Sequence, residues 1–329
     1  MKYLAIAALV CGLFGVASRA SDRVVYEGKA GPGKGKQIVF LTGDEEYRSE
    51  EGLPMLAKLL AMRHGFKCTV LFPLDPDGTI NPNNSSNIPG METLASADMV
   101  VMLWRFRELA DDKMKYFVDY LNSGKPILGL RTSTHAFAYK NRQSPYARFD
   151  YGNKDWRGGF GQQVLGDTWI SHHGSHGKES TRGVINPELK NHPLLRGVAD
   201  IWGPTDVYGV IHLPADAQVL VHGQVLAGMK PTDSPVEGKK NEPMMPLIWV
   251  RNYVGEAGKT NKIIATTMGA STDLENEGLR RLLVNACFWG MNLPVPDKAD
   301  VNYVGEYKPT AFGFNKFTKG IKPEDHELK

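Results

Sequence analysis

The chain has 329 residues, 42% of them hydrophobic and 23% charged, with a formal net charge of +3. Such a composition excludes a disordered or fibrous chain and supplies a sizeable core for one or two domains. A charge this close to neutral, with no basic stripe and no stacking motif, excludes a nucleic-acid surface.

Lys2, the apolar run Tyr3–Val16 and the small-residue pattern Ser18-Arg19-Ala20 have the layout of a secretory signal peptide over residues 1–20, with cleavage expected after Ala20. The run is shorter than the roughly 20 apolar residues of a membrane span. Val10 stands before Cys11 where a lipobox wants a small residue. A soluble exported protein is therefore expected, periplasmic or extracellular, with no membrane span in the mature chain. Cys68 and Cys287 lie beyond the leader in apolar contexts. Buried free thiols are expected there, although an oxidising compartment would permit a disulfide.

Gln37–Leu41 reads as a buried strand opening into the polar loop Thr42–Tyr47. Ser49 is placed to cap a helix with Pro54 in its first turn and Leu53, Leu56, Leu59 and Leu60 at helical spacing, stopped by Gly65. Phe66–Leu71 is a second strand, and residues 75–90 are loop. Asp98–Trp104 is a third strand ending in Arg105-Phe106-Arg107-Glu108. Met114, Phe117, Val118 and Leu121 then mark one face of an amphipathic helix, and Pro126–Leu130 is a fourth strand. This β–α alternation predicts an α/β fold with a mostly parallel central sheet and helices on both faces. Val207–Leu213, Gln218–Leu226 and Pro246–Tyr253 are extended runs expected near one sheet edge. Ile263–Thr267 is a last buried strand before a helix carrying Leu279, Leu282, Leu283 and Ala286 on one face. Residues 294–329, rich in lysine and proline, are expected to wrap the surface or remain mobile.

Ligands of open parallel sheets sit beyond the carboxyl ends of the strands. That rule selects Asp44, Glu45 and Arg48 after the first strand, and Arg105, Arg107 and Glu108 after the third. It also selects Arg131 to His135 after the fourth strand and Asp273 and Glu277 after the last. Plain solvation is the competing explanation for each polar loop. The stretch Pro126–His135 reads strand, tight turn, helix, and resembles the elbow of class I glutamine amidotransferase-like proteins, where a cysteine follows Gly-x. Arg131 occupies that position. A guanidinium cannot be the nucleophile, so Cys-dependent glutaminase chemistry is excluded at the elbow, and Arg131 is suited to holding an anion or polar oxygen. Ser133 lacks a surrounding Gly-x-Ser-x-Gly and is given a hydrogen-bonding role at the helix start.

The segments Arg105–Leu109, Gly129–Phe137, Leu165–Gly174, Trp202–Tyr208 and Thr267–Asp273 together resemble the ThuA-like (trehalose-utilisation) domain of the exported bacterial type, from Gln37 to about Met291. The resemblance implies one domain over 37–293, a flavodoxin-like three-layer α/β/α sandwich and a link to carbohydrate metabolism. It implies no agreed reaction.

His172, His173 and His176 cluster around Gly174 and are candidates for a site holding Zn2+ or another divalent metal, to which His135 could add a donor. No Cys-x-x-Cys or His-Glu-x-x-His accompanies them, and hydrogen bonding in a site wall is the alternative. As acid/base groups the candidates are His135, His172 and His173. Asp44, Glu45, Arg105, Arg107, Glu108, Arg131, Thr132, Thr134, Asp206, Tyr208 and Asp273 form the candidate ligand-binding set. The expected partner is a sugar-like small molecule; the oligomeric state stays open. One function is a hydrolase, isomerase or lyase acting on a sugar or an oxidised sugar. A second is a non-catalytic carbohydrate- or metal-binding module. A third is a structural subunit that docks through its tail.

Overall fold

Alternation along the central strands explains how the sheet is buried. The computed structural model describes residues 21–328, so the expected leader lies outside the described residues. Strand β1 spans Arg23–Glu27, β2 Gln37–Gly43, β3 Lys67–Leu71, β4 Met99–Trp104 and β5 Ile127–Leu130. In β2, Ile38 and Phe40 enter one hydrophobic cluster while Val39 and Leu41 enter another. Strand β4 does the same, with Val101 and Leu103 on one side and Val100 and Met102 on the other. Two apolar faces require two covers. Helices α1 (Ser49–His64) and α3 (Glu277–Gly290) supply one, and α2 (Asp111–Asn122), through Met114, Phe117 and Leu121, supplies the other.

Local chemistry sets the helix ends, with one departure from expectation. Gly65 closes α1 at φ +85, and the Asn276 side chain caps α3 by accepting from the Leu279 N–H at 2.8 Å. Ser49 does not cap α1. Its hydroxyl accepts from the Gly43 and Asp44 N–H groups, which ties the helix to the loop before it. Pro54 falls in the second turn of α1 rather than in the first.

The remaining strands are β6 (Ser180–Ile185), β7 (Trp202–Gly203), β8 (Gln218–Leu226), β9 (Met245–Val254) and β10 (Thr260–Thr266). All ten form one mixed sheet in the order β1-β3-β2-β4-β5-β10-β9-β8-β6-β7. The expectation of a mostly parallel sheet needs correction. The run β3-β2-β4-β5-β10 is parallel, but β1 and the whole of β9-β8-β6-β7 pair antiparallel. The cause is local: β9 and β10 are joined by a tight turn at 255–259, which leaves no crossover for a parallel return. Val207–Leu213 is not a strand. The Ile211 and His212 N–H groups donate to the Asp167 carboxylate instead of to a ladder. Among the described residues no helix is long and apolar enough to cross a membrane. Cys68 and Cys287 are buried free thiols.

Candidate functional site

The carboxyl ends of β2, β4, β5 and β10 converge, and the β5 elbow lies at the centre. Arg131 takes φ +36, a strained value for a residue with a side chain, and its N–H donates to the Met268 carbonyl at 3.2 Å. Its side chain is fully buried. Nη1 donates to the carbonyls of Thr267 (2.7 Å) and Asp206 (3.1 Å), and Nη2 to Tyr47 Oη (3.0 Å) and Asp206 Oδ1 (2.9 Å). The guanidinium lies 4.1 Å from the Tyr47 ring and 4.2 Å from the Tyr208 ring. These four donor contacts go to protein, which revises the role expected of Arg131. Through them it anchors Asp206.

Asp206 is the hub. Its Oδ2 accepts from His172 Nδ1 at 2.7 Å, and its Oδ1 from His176 Nδ1 at 2.9 Å. Burial opposes ionisation of this carboxyl, yet Arg131 and the two imidazoles hold it well below the usual carboxylate range. The hydrogen bond to Asp206, with Glu46 nearby, raises His176 above the ordinary imidazole value. His176 Nε2 lies 3.5 Å from Glu46 Oε1, and Glu46 Oε2 lies 3.6 Å from the Arg105 guanidinium. Burial and the neighbouring Asp44 raise Glu46. Trp169 and Tyr208 pack against His172, with ring centres 5.6 and 5.5 Å away. With Nδ1 engaged by a carboxylate, each imidazole presents Nε2 for proton transfer or for a metal.

The metal set expected from the sequence changes by one residue. His172, His176 and Asp206 each offer a donor atom within 4.8 Å of the others. His173 lies outside the cluster, because its Nε2 contacts the Lys240 carbonyl at 2.8 Å. Adjacent residues in an extended turn point apart, and the bridge between His172 and Tyr208 sends His173 the other way.

His135 is buried among Phe106, Trp169 and Tyr208, where burial and the nearby cations hold it well below the ordinary imidazole value. Its Nδ1 lies 3.3 Å from Thr134 Oγ1.

Other expected site residues serve the scaffold. Asp44 accepts from the Tyr47 N–H at 3.0 Å and from the Thr132 hydroxyl, which joins the β2 loop to the elbow. Thr134 donates to the Arg131 carbonyl, and Ser133 to the Met102 carbonyl in β4. Arg107, pushed down to about 10 by burial, donates to the carbonyls of Pro82, Asn84 and Arg105 and so fastens the loop before β4. Glu108 accepts from the N–H groups of Lys140 and Asn141. Asp273 is buried and accepts from Gly269, Ala270 and Thr205. Glu45 accepts from the Asn315 N–H. A charged side chain at a strand end can serve either ligand or loop, and the unpaired backbone around these turns claims most of them.

The family model described as trehalose utilisation matches residues 37–290. The chain belongs to the ThuA family. No curated protein matches it. A ThuA-like protein from Parabacteroides merdae matches with a TM-score of 0.47 and 15% identity, over 84% of this chain and 96% of that one. A ThuA-like protein from Bacteroides uniformis matches with a TM-score of 0.46 and 15% identity, over 80% and 93%. The glutaminase domain of the Trypanosoma brucei CTPS, solved with bound acivicin, matches with a TM-score of 0.36 and 9% identity, over 82% and 100%.

In this ThuA chain the sequence reading missed Glu46, Tyr47, Phe312 and Phe314. Glu46 is one of three consecutive acids, Asp44 to Glu46, and only the loop conformation decides which of them meets the histidines. The two phenylalanines flanking Gly313 in the lysine- and proline-rich tail were the available signal for Phe312 and Phe314, and Tyr47 carried none.

Proposed function

We propose that this ThuA-family chain binds and acts on a sugar or an oxidised sugar at the Asp206-centred site, with His172 as the acid/base group. The observation that carries this reading is a single one: two imidazoles held through Nδ1 by one buried carboxylate, itself fixed by Arg131. Asp206 orients His172 through Nδ1, so Nε2 can take a proton from a hydroxyl or from a carbon beside a carbonyl and later return it. Arg105, partly exposed beside Glu46, is available to a carbonyl oxygen of the substrate. The family's link to trehalose utilisation supports the substrate class. With Arg131 at the elbow and both described cysteines buried free thiols, the chemistry is not that of a Cys glutaminase.

A second reading follows from the same cluster: His172, His176 and Asp206 or Glu46 hold a divalent metal that polarises the sugar carbonyl. Elemental analysis of purified protein decides between the two. Turnover of trehalose, its keto derivative and simple glucosides is then compared for wild type and His172→Ala. Saturable binding with no product, unchanged by His172→Ala, would sink the catalytic role and leave a binding module. We also place the activity outside the cytoplasm on the leader reading of residues 1–20. N-terminal sequencing of the exported chain should begin at Ser21, and a chain found only in the cytoplasmic fraction with Met1 intact would overturn this.

A further inference from the structure

Residues 307–315 lie outside the stretch matched by the ThuA family, yet they cross the loops that carry the site. Tyr307 Oη donates to the Ser271 carbonyl at 2.7 Å, and Thr310 donates through N–H and hydroxyl to the Glu51 carboxylate at 2.8 and 2.7 Å. The Gly313 N–H donates to the Glu46 carbonyl at 2.8 Å, and the Asn315 N–H to the Glu45 side chain. Arg48 closes the clamp from the other side. It is fully buried, with Nη2 donating to the Gly313 carbonyl at 2.8 Å and Nε to Thr310 Oγ1 at 3.1 Å. The segment is thus fixed on both sides of Gly313, whose φ of +139 suits glycine alone.

Between these anchors stand two aromatic rings. Phe312 is half-buried, with its ring 5.7 Å from Tyr47 and 5.4 Å from His176. Phe314 is 50% exposed and lies 4.8 Å from the Arg105 guanidinium. The loops from β2, β4 and β5 bring charge and hydrogen-bonding groups to this place. The tail brings apolar surface. A sugar ring needs both, because its C–H faces are apolar and its rim is polar. A large aromatic left half-exposed beside an arginine, on a segment held by buried anchors, is a surface in search of a ligand face.

We infer that the segment around Thr310–Asn315 is a wall of the ligand site, and that Phe312 and Phe314 supply the faces on which a sugar ring stacks. The ligand class rests on the proposed function; the placement of the wall does not. It follows that the ThuA domain alone, without its tail, has an incomplete site.

The experiment uses the full chain, titrated with trehalose, keto-trehalose and methyl glucoside. The variants are Phe312→Ala, Phe314→Ala, Phe314→Tyr and His172→Ala. Either alanine variant should weaken binding by about tenfold while the thermal midpoint holds, and Phe314→Tyr should retain the wild-type affinity. A second measurement needs no sugar: carbethoxylation of His176 followed by mass spectrometry, with His222 as internal reference. Phe312→Ala should speed modification of His176 and leave His222 unchanged. Wild-type affinity in both alanine variants, with turnover lost in His172→Ala, overturns the wall and leaves the proposed function standing. Binding lost in the phenylalanine variants but kept in His172→Ala supports the wall and agrees with a histidine that acts on turnover rather than on affinity. Failure of the wild type to bind any probe overturns the stacking role together with the proposed function. An unchanged His176 rate in Phe312→Ala overturns the covering role by itself.

Discussion

Replacing Arg131 by methionine keeps an unbranched stem and removes the guanidinium. Arg131 and Asp206 are both fully buried and 2.9 Å apart, so the variant strands a carboxylate whose remaining side-chain partners are two histidines. It also leaves the Thr267 carbonyl without its donor and Tyr47 Oη with only the long contact from the Tyr208 hydroxyl, and removes the cation from between the Tyr47 and Tyr208 rings. Removing one partner of a buried pair costs about 3–5 kcal/mol. The two imidazoles still donate to the carboxylate, so the lower end of the range, about 3 kcal/mol, is expected. For a domain of this size that is a fall in Tm on the order of 5 °C. Urea unfolding followed by circular dichroism, with calorimetry for Tm, measures it. Asp206→Asn and the double variant close a cycle whose coupling should be at least about 1 kcal/mol. A native Tm in Arg131→Met, accompanied by lost sugar binding, would refute the anchoring role and return Arg131 to the ligand.

Zinc added to metal-free protein should raise Tm in wild type and in His173→Ala but not in His172→Ala or His176→Ala; equal behaviour of all three variants would dismiss the cluster as a metal site. Acid should destabilise the fold. Burial holds His326 at about 4 and His135 well below the ordinary value, so the unfolded chain binds these protons first. Stability is then full above about pH 6.5 and declines as pH falls toward 4, by at most about 1.4 kcal/mol per unit for each group. His326→Phe, which can keep the stack on Phe72, should flatten part of that slope in pH-dependent urea unfolding, and an unaltered slope contradicts the assignment. Arg107→Ala frees the carbonyls of Pro82 and Asn84 and should cost about 2–3 kcal/mol while exposing the 75–90 loop to limited proteolysis; unchanged cleavage would show that the loop is held by other means.

Local signals carried much of the fold. The apolar runs of β2, β3, β4 and β5, the helical spacing of Met114, Phe117 and Leu121, and the glycine after α1 each follow from short-range chemistry, and each element lies within a residue or two of its expected place. Pairing direction did not follow in the same way. An apolar strand is compatible with a parallel or an antiparallel neighbour, and the turn at 255–259 decided for β9 and β10. Val207–Leu213 shows a second limit, since its extended pattern was satisfied by one carboxylate, Asp167, from a distant loop.

The site divides along the same line. Its residue types were legible: Arg105, Arg131, His172, His176 and Asp206 all stand in polar clusters after strands or in motif segments, and the arginine at the elbow position spoke against a glutaminase from the sequence alone. Their roles were not, because role depends on which partner lies within about 3 Å, and those partners are far apart in the chain. Only the folded chain joined Arg131 to Asp206 across 75 positions, turned His173 away from His176, chose Glu46 among three acids and laid Phe312 against His176. Periodicity and turn chemistry are local properties that the sequence states outright. A buried ion pair and the surface that covers it are products of chain closure, and only the tertiary structure could decide them.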